Sequence, residues 1–185
     1  MKLAGVKSME LAHEESVWTA AWIPPTDSRS ALILTGSLDE TVKLWRPDEL
    51  NPVGTNTGHC LGVVSVAAHP SGSLTASASL DSFVRVFDVD SNATITTLEA
   101  PPSEVWQMQF NPKGTILAVA GGACGSVDGT VSVFDVARAK FLHHLEGHSM
   151  SVRSLVFSPV DARMLCTASD DTHVILHDAE GRNFR

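Results

Sequence analysis

Three histidines are each followed, 22 to 26 residues later, by an aspartate: His13 by Asp39, His59 by Asp81 and His148 by Asp171. Hydroxyl residues stand two and four positions before each aspartate: Thr35 and Ser37, Ser77 and Ser79, Thr167 and Ser169. A hydroxyl, an imidazole and a carboxylate are the parts of an acyl-transfer triad, in which the imidazole takes the hydroxyl proton and the carboxylate holds the imidazole. In "FLHHLEGH", His143, His144 and His148 offer nitrogen ligands of the kind a zinc site uses. The stretch "GGACGS" at 121–126 has the glycine content of a phosphate-cradling loop.

Each of these has a simpler reading, and the simpler one is favoured. A hydrolase needs one triad, whereas here the set recurs along the chain, as buried structure would. His143, His144 and His148 fall in a stretch that reads as strand, where successive side chains point to opposite faces. "GGACGS" lacks the GK[ST] ending and leads toward a strand instead of a helix. There is no GxSxG, no HExxH and no paired-cysteine pattern. The expectation is a chain with no catalytic residue, no cofactor and no metal. Cys60, Cys124 and Cys166 are odd in number and unpaired in spacing, which predicts buried, reduced thiols.

The elements that must hold the His–Asp pairs repeat with them. "TGSLDETVKLW" (35–45), "SASLDSFVRVF" (77–87), "GSVDGTVSVF" (125–134) and "TASDDTHVILH" (167–177) each place an aspartate six residues before Trp45, Phe87, Phe134 or His177. The aspartates Asp39, Asp81, Asp128 and Asp171 are spaced by 42, 47 and 43 residues. Before each lies an apolar run closed by proline: "SVWTAAWIP", "GVVSVAAHP", "EVWQMQFNP" and "SVRSLVFSP". Val, Trp and Phe favour strands and proline ends them. Four short strands per unit of about 42 residues is the pattern of an all-β propeller. The units are about 12–50, 58–99, 100–146 and 147–185, in one domain over 1–185.

The "GH" dipeptides at 58–59 and 147–148, the Asp turns and Trp45 resemble the WD-repeat family, from about residue 12 to residue 178. The resemblance implies a hydrogen-bonded tetrad in each blade, made of the His, a strand Ser or Thr, the turn Asp and the Trp. The first blade would use His13, Ser37 or Thr35, Asp39 and Trp45. The second has His59 and Asp81, with Phe87 in the Trp position. The fourth has His148 and Asp171, with His177 there. The third keeps Asp128 alone. By this reading the tetrad weakens beyond the first blade.

Within the family, "LTGSLDETVKLWRPDEL" and "LEAPPSEVWQMQFNPKGTILAVAGG" resemble the branch that supplies a WD-repeat subunit to the Paf transcription-elongation complex and the superkiller (Ski) RNA-decay complex. That implies a non-catalytic scaffold for other protein subunits, in the nucleus and also the cytoplasm. A substrate receptor of a cullin-type ubiquitin ligase is the alternative use of such a fold. A shortened form with little independent function is another. Family partners commonly dock where the first strands begin and just before the Asp turns. Here those positions are Trp18, Val64, Trp106 and Arg153, and Leu38, Leu80, Val127 and Asp170. Trp22, Phe110 and Phe157, four residues beyond Trp18, Trp106 and Arg153, are assigned to the core. The net charge of -8 and the lack of any Lys/Arg cluster argue against direct nucleic-acid binding. No apolar run is long enough to span a membrane.

The third unit contains the end of its second strand twice, once as "AVAGG" and once as "ACGS". One reading is a junction, with two different repeats joined and about one repeat between them missing. The other is a five-residue insertion in a hairpin. Relatives usually have seven blades, so four predict an incomplete open arc. Its end blades would expose apolar faces and invite self-association. Residues 2–11 are a candidate closing strand.

Overall fold

The computed structural model describes residues 7–99, 103–123 and 129–181 and contains, among these, only strands, turns and loops. Four antiparallel sheets follow one another along the chain. The first blade holds β1 (Val17–Ile23), β2 (Leu32–Ser37), β3 (Val42–Arg46) and β4 (Asn51–Asn56). The second holds β5 (Val63–Ala68), β6 (Leu74–Ser79), β7 (Phe83–Asp88) and β8 (Thr94–Glu99). The third holds β9 (Ser103–Phe110), β10 (Ile116–Ala123), β11 (Gly129–Asp135) and β12 (Lys140–His148). The fourth has three strands, β13 (Val152–Phe157), β14 (Met164–Ser169) and β15 (Val174–Asp178).

Each strand alternates, and both faces of an inner blade are apolar, so the core lies between sheets. Leu32, Leu34, Val42 and Leu44 of the first blade pack on Val63 and Val66 of the second. Ala76, Val84 and Val86 of the second meet Met108, Phe110 and Phe134 of the third. Ala118, Val131 and Val133 of the third meet Val152, Leu155 and Phe157 of the fourth. A fully buried Val or Leu contributes about 1.5–3 kcal/mol, so these three seams supply most of the cohesion. All substantial packing joins strands of the same or adjacent blades, and β13 does not return to β1. The described part of the propeller is therefore an open arc.

The seams share a polar stitch. The amide of Val66 donates to Thr19 Oγ1 (3.1 Å), that of Met108 to Ser65 Oγ (3.0 Å) and that of Leu155 to Gln107 Oε1 (2.8 Å). The three acceptors each stand five residues before the proline that closes their strand. A side chain of one inner strand thus satisfies a free-edge amide of the next, where a bare N–H would be costly.

Trp22 departs from its expected core position. Its equivalents Phe110 and Phe157 are buried at 4% exposure, whereas Trp22 is 64% exposed. They point toward the preceding blade, and among the described residues no blade precedes the first. Of the candidate closing strand, residues 7–11 form no strand, and 2–6 lie outside the described residues.

The doubled stretch is built as a longer hairpin. Ile116 pairs with Asp135 and Leu117 with Phe134, matching Leu74 with Asp88 and Thr75 with Phe87 in the second blade. The ladder then continues through Gly121↔Thr130 and Gly122↔Gly129. The two glycines let the hairpin run against the entry to the fourth blade. A Cβ on Gly129 would sit 1.8 Å from the Met150 carbonyl, and one on Gly122 would sit 2.2 Å from Ser151 Oγ. Cys124, Val127 and Asp128 lie outside the described residues.

Candidate functional site

In the first blade the chemistry-bearing residues form one chain of hydrogen bonds. Trp45 Nε1–H donates to Thr35 Oγ1 (2.8 Å), and Thr35 Oγ1 is 2.8 Å from His13 Nε2. His13 Nδ1 is 2.9 Å from Asp39 Oδ2. The consistent proton placement has His13 neutral, with its Nδ1–H on the carboxylate and its Nε2 accepting from Thr35. Asp39 also accepts from the Glu14 amide, and from the Thr41 amide and hydroxyl. Burial works to raise the Asp39 carboxyl. The bonds from Thr41, Glu14 and His13 outweigh it and hold the group below the ordinary carboxylate range.

The hydroxyl in this chain is Thr35, which corrects the assignment of Ser37. Ser37 is one strand-pair closer to the turn. Its Oγ accepts from the Asp39 amide (3.1 Å) and donates to the Glu15 carbonyl (3.2 Å). Ser79 and Ser169 repeat this role, bonding the Asp81 and Asp171 amides. The residue after each aspartate is left-handed: Glu40 at φ 68°, Ser82 at 67° and Thr172 at 70°. Each aspartate Oδ1 accepts the amide two residues on, at Thr41, Phe83 and His173, and closes the turn over that strained residue.

The second blade has the same pairing without an indole. His59 Nδ1 is 2.9 Å from Asp81 and Nε2 is 2.8 Å from Ser77 Oγ, while Phe87 fills the Trp position at 2% exposure. Burial pushes the His59 imidazole below its ordinary value against the pull of Asp81.

In the fourth blade His148 lies 2.8 Å from both Asp171 and Thr167, and His177 Nε2 lies 2.9 Å from Thr167 Oγ1. A histidine thus takes the indole's place, and the network does not weaken there. Burial and then repulsion from His148 hold the His177 imidazole below its ordinary value. For Asp171, bonds from the His173 and Ser149 amides and from His148 outweigh a burial effect of opposite sign and depress the carboxyl.

Every hydroxyl, imidazole and carboxylate in these networks is engaged with another member, and the hydroxyls are held within the sheet. What the arrangement can do chemically is lock a turn to the strands behind it. Lys43 and Arg85, four residues after their aspartates, add a further tie by donating to the carbonyls of Ala12 and Gly58. The three histidines of "FLHHLEGH" do not converge. His144 meets Ser132 Oγ at 3.2 Å, His148 belongs to the fourth blade's network, and His143 lies beside Gly181. Among the described residues, no three His, Cys, Asp or Glu side chains group as metal ligands do.

The exposed candidates lie at the strand starts and turn tips. Arg153 stacks its guanidinium 4.2 Å from the Trp106 ring centroid and donates from Nε to Asp170 at 2.8 Å. Blades three and four thus share one aromatic, cationic and acidic cluster, and among the described residues its Trp106 Nε1 has no partner. Trp18 is exposed and so is Leu80, while Leu38 is half-buried against Gly62. Val64, in the same row as Trp18, Trp106 and Arg153, is buried in the second seam. Cys166 is half-buried, but Cys60 is exposed, which corrects its expected burial. It follows His59 in the entry loop, where its amide serves Asp81 and its side chain points outward.

Comparison with known proteins agrees with this geometry. The family model for the WD domain, G-beta repeat, matches residues 5–46, 50–88, 92–135 and 139–178. The WD repeat-containing protein VIP3 of Arabidopsis thaliana is 58% identical, with 89% of this chain and 67% of the relative covered. WD repeat-containing protein SL1-17 of Schistosoma mansoni is 29% identical over 92% of this chain and 69% of its own length. Pre-mRNA-processing factor 19 of rice is 28% identical, with 94% of this chain and 32% of its own length covered. The match to the Arabidopsis protein runs over 216 aligned positions although this chain has 185 residues. With 89% of the chain taking part, about 165 residues, some 50 positions of the relative face nothing here. That is of the order of one repeat.

Proposed function

Because the chain belongs to the WD-repeat β-propeller family, we propose that it is a non-catalytic docking module for other protein subunits. The observation that carries this reading is the Trp106–Arg153–Asp170 cluster on the rim of the third and fourth blades. Trp and Arg dominate binding hot spots, and a half-buried Trp106 under an exposed Arg153 offers both at one place. The His–Asp networks support the same conclusion, since they are consumed in holding turns. The assembly we assign is the Paf transcription-elongation complex, the Ski RNA-decay complex or both, in the nucleus and cytoplasm. Support for that assignment comes from the sequence resemblance and from 58% identity to the Arabidopsis relative.

The test is affinity capture of the tagged chain from a plant whole-cell extract, read by mass spectrometry. Paf or Ski subunits should be recovered, and Arg153→Ala should lower their yield by tenfold or more, as a hot spot of about 2 kcal/mol would. Capture lacking both sets of subunits sinks the assignment. Cullin-adaptor components in their place establish the ligase-receptor reading.

A further inference from the structure

We propose that copies of this chain associate head to tail, the open face of one copy's fourth blade seating on the first blade of the next. This inference is independent of the rim cluster and of any assembly it serves.

The seams inside the chain define what each open face accepts. Leu44, Val86 and Val133 occupy one position on the third strand of their blades, one residue before Trp45, Phe87 and Phe134. All three are buried against the following blade, at 2%, 6% and 0% exposure. Leu176 is the fourth-blade member of this row and is 57% exposed. Two residues earlier, Val42, Val84 and Val131 are at most 1% exposed, and their counterpart Val174 is 70% exposed. The fourth blade therefore presents, uncovered, the side chains that elsewhere receive a next blade. The first blade presents the other half, since Trp22 is exposed where Phe110 and Phe157 are packed onto a preceding blade.

The polar stitch is also split between the two ends. Thr19, Ser65 and Gln107 each accept an amide of the next inner strand, and the fourth-blade residue at that position is Ser154. The amides of Val66, Met108 and Leu155 donate to them, and the first-blade residue at that position is Ala20. Among the described residues, no side chain bonds the Ala20 amide, and the Ser154 hydroxyl is unengaged. Ser154 of one copy and Ala20 of the next are an acceptor and a donor already placed for a further seam of the same kind. A contact joining two different faces is heterologous, and two copies closing on each other bring together eight blades, within the range propellers adopt.

Light scattering after size exclusion on the whole chain tests this with two variants that each spoil one face. Trp22→Glu blocks the first-blade face, and Leu176→Glu blocks the fourth-blade face. Both side chains are exposed in the single copy, so far-UV circular dichroism should be unchanged. The wild type should exceed the monomer mass, each variant alone should be monomeric, and an equal mixture should give a two-copy species. The mixture forms because each variant retains the face the other lacks. A monomeric wild type, self-association or aggregation by either variant alone, or a mixture that stays monomeric overturns the proposal. If a charged variant fails to fold, Trp22→Ser and Val174→Ser repeat the same comparison.

Discussion

Replacing Thr35 by Val keeps the β-branched shape of the strand residue and removes one oxygen. That oxygen sits 2.8 Å from Trp45 Nε1 and 2.8 Å from His13 Nε2, so its loss strands a donor and an acceptor together. Trp45 is 5% exposed and His13 is 6% exposed, and water replaces neither bond freely. An orphaned buried group costs about 1–3 kcal/mol, so Thr35→Val should destabilise the chain by about 2–4 kcal/mol. Trp45→Phe leaves no orphan, because Thr35 still reaches His13. The second blade already carries Phe87 at this place, and a cost of about 1–2 kcal/mol is expected, mainly from lost packing. In the double variant the indole N–H is gone before the hydroxyl is removed. The combined loss should therefore fall short of the sum by about 1 kcal/mol. Urea unfolding followed by far-UV circular dichroism measures all three, and amide exchange in β2 and β3 localises the effect. Additivity to within about 0.3 kcal/mol would refute the claim that Thr35 links Trp45 to His13.

Two further expectations concern the turns and their acid response. The folded His59 and His177 have depressed imidazole pKa values, so their contribution is present above the ordinary value of 6.5 and is lost as pH falls below it. The depressed Asp39, Asp81 and Asp171 carboxyls add a second loss below the ordinary 3.8. Urea midpoints between pH 8 and 5 should fall, and His177→Trp should reduce that fall while keeping a donor to Thr167; an unchanged slope would count against the role of His177. Thr172 is a β-branched residue at φ 70° whose hydroxyl bonds nothing among the described residues. Thr172→Asn should raise stability by about 0.5–1 kcal/mol in the same assay, since Asn tolerates the left-handed region.

The blades and their His–Asp pairs were legible because a propeller writes the same local rules into every repeat. Proline-closed apolar runs mark β1, β5, β9 and β13, and a fixed spacing ties each aspartate to the third strand. What escaped the sequence depended on neighbours in space. Thr35 and Ser37 share a strand face, and only the position of the His13 ring chooses between them. Trp22 reads as core by its place in the repeat, but its packing partner would belong to a preceding blade. His177 reads as a lapse from Trp, yet a ring nitrogen at 2.9 Å from Thr167 does the indole's work. The stitch by Thr19, Ser65 and Gln107 was hidden because three residue types carry one role. Their shared distance from the closing proline was the available signal.

That stitch has a consequence for how such a chain changes length. Since each joint uses a side chain at one ordinal position and a main-chain amide at the next, no joint is addressed to a particular neighbour. Any repeat can follow any other, provided the excision removes a whole number of repeats. In the third blade the two halves of the lengthened hairpin pair in register from Ile116 to Gly122, as those of a single repeat do. A loss that cut through a repeat would leave one blade short of a strand, while the repeats beyond it, which pair within themselves, would keep their register. The architecture is thus quantised: it tolerates subtraction in full units, at the cost of a ring that no longer meets its own beginning.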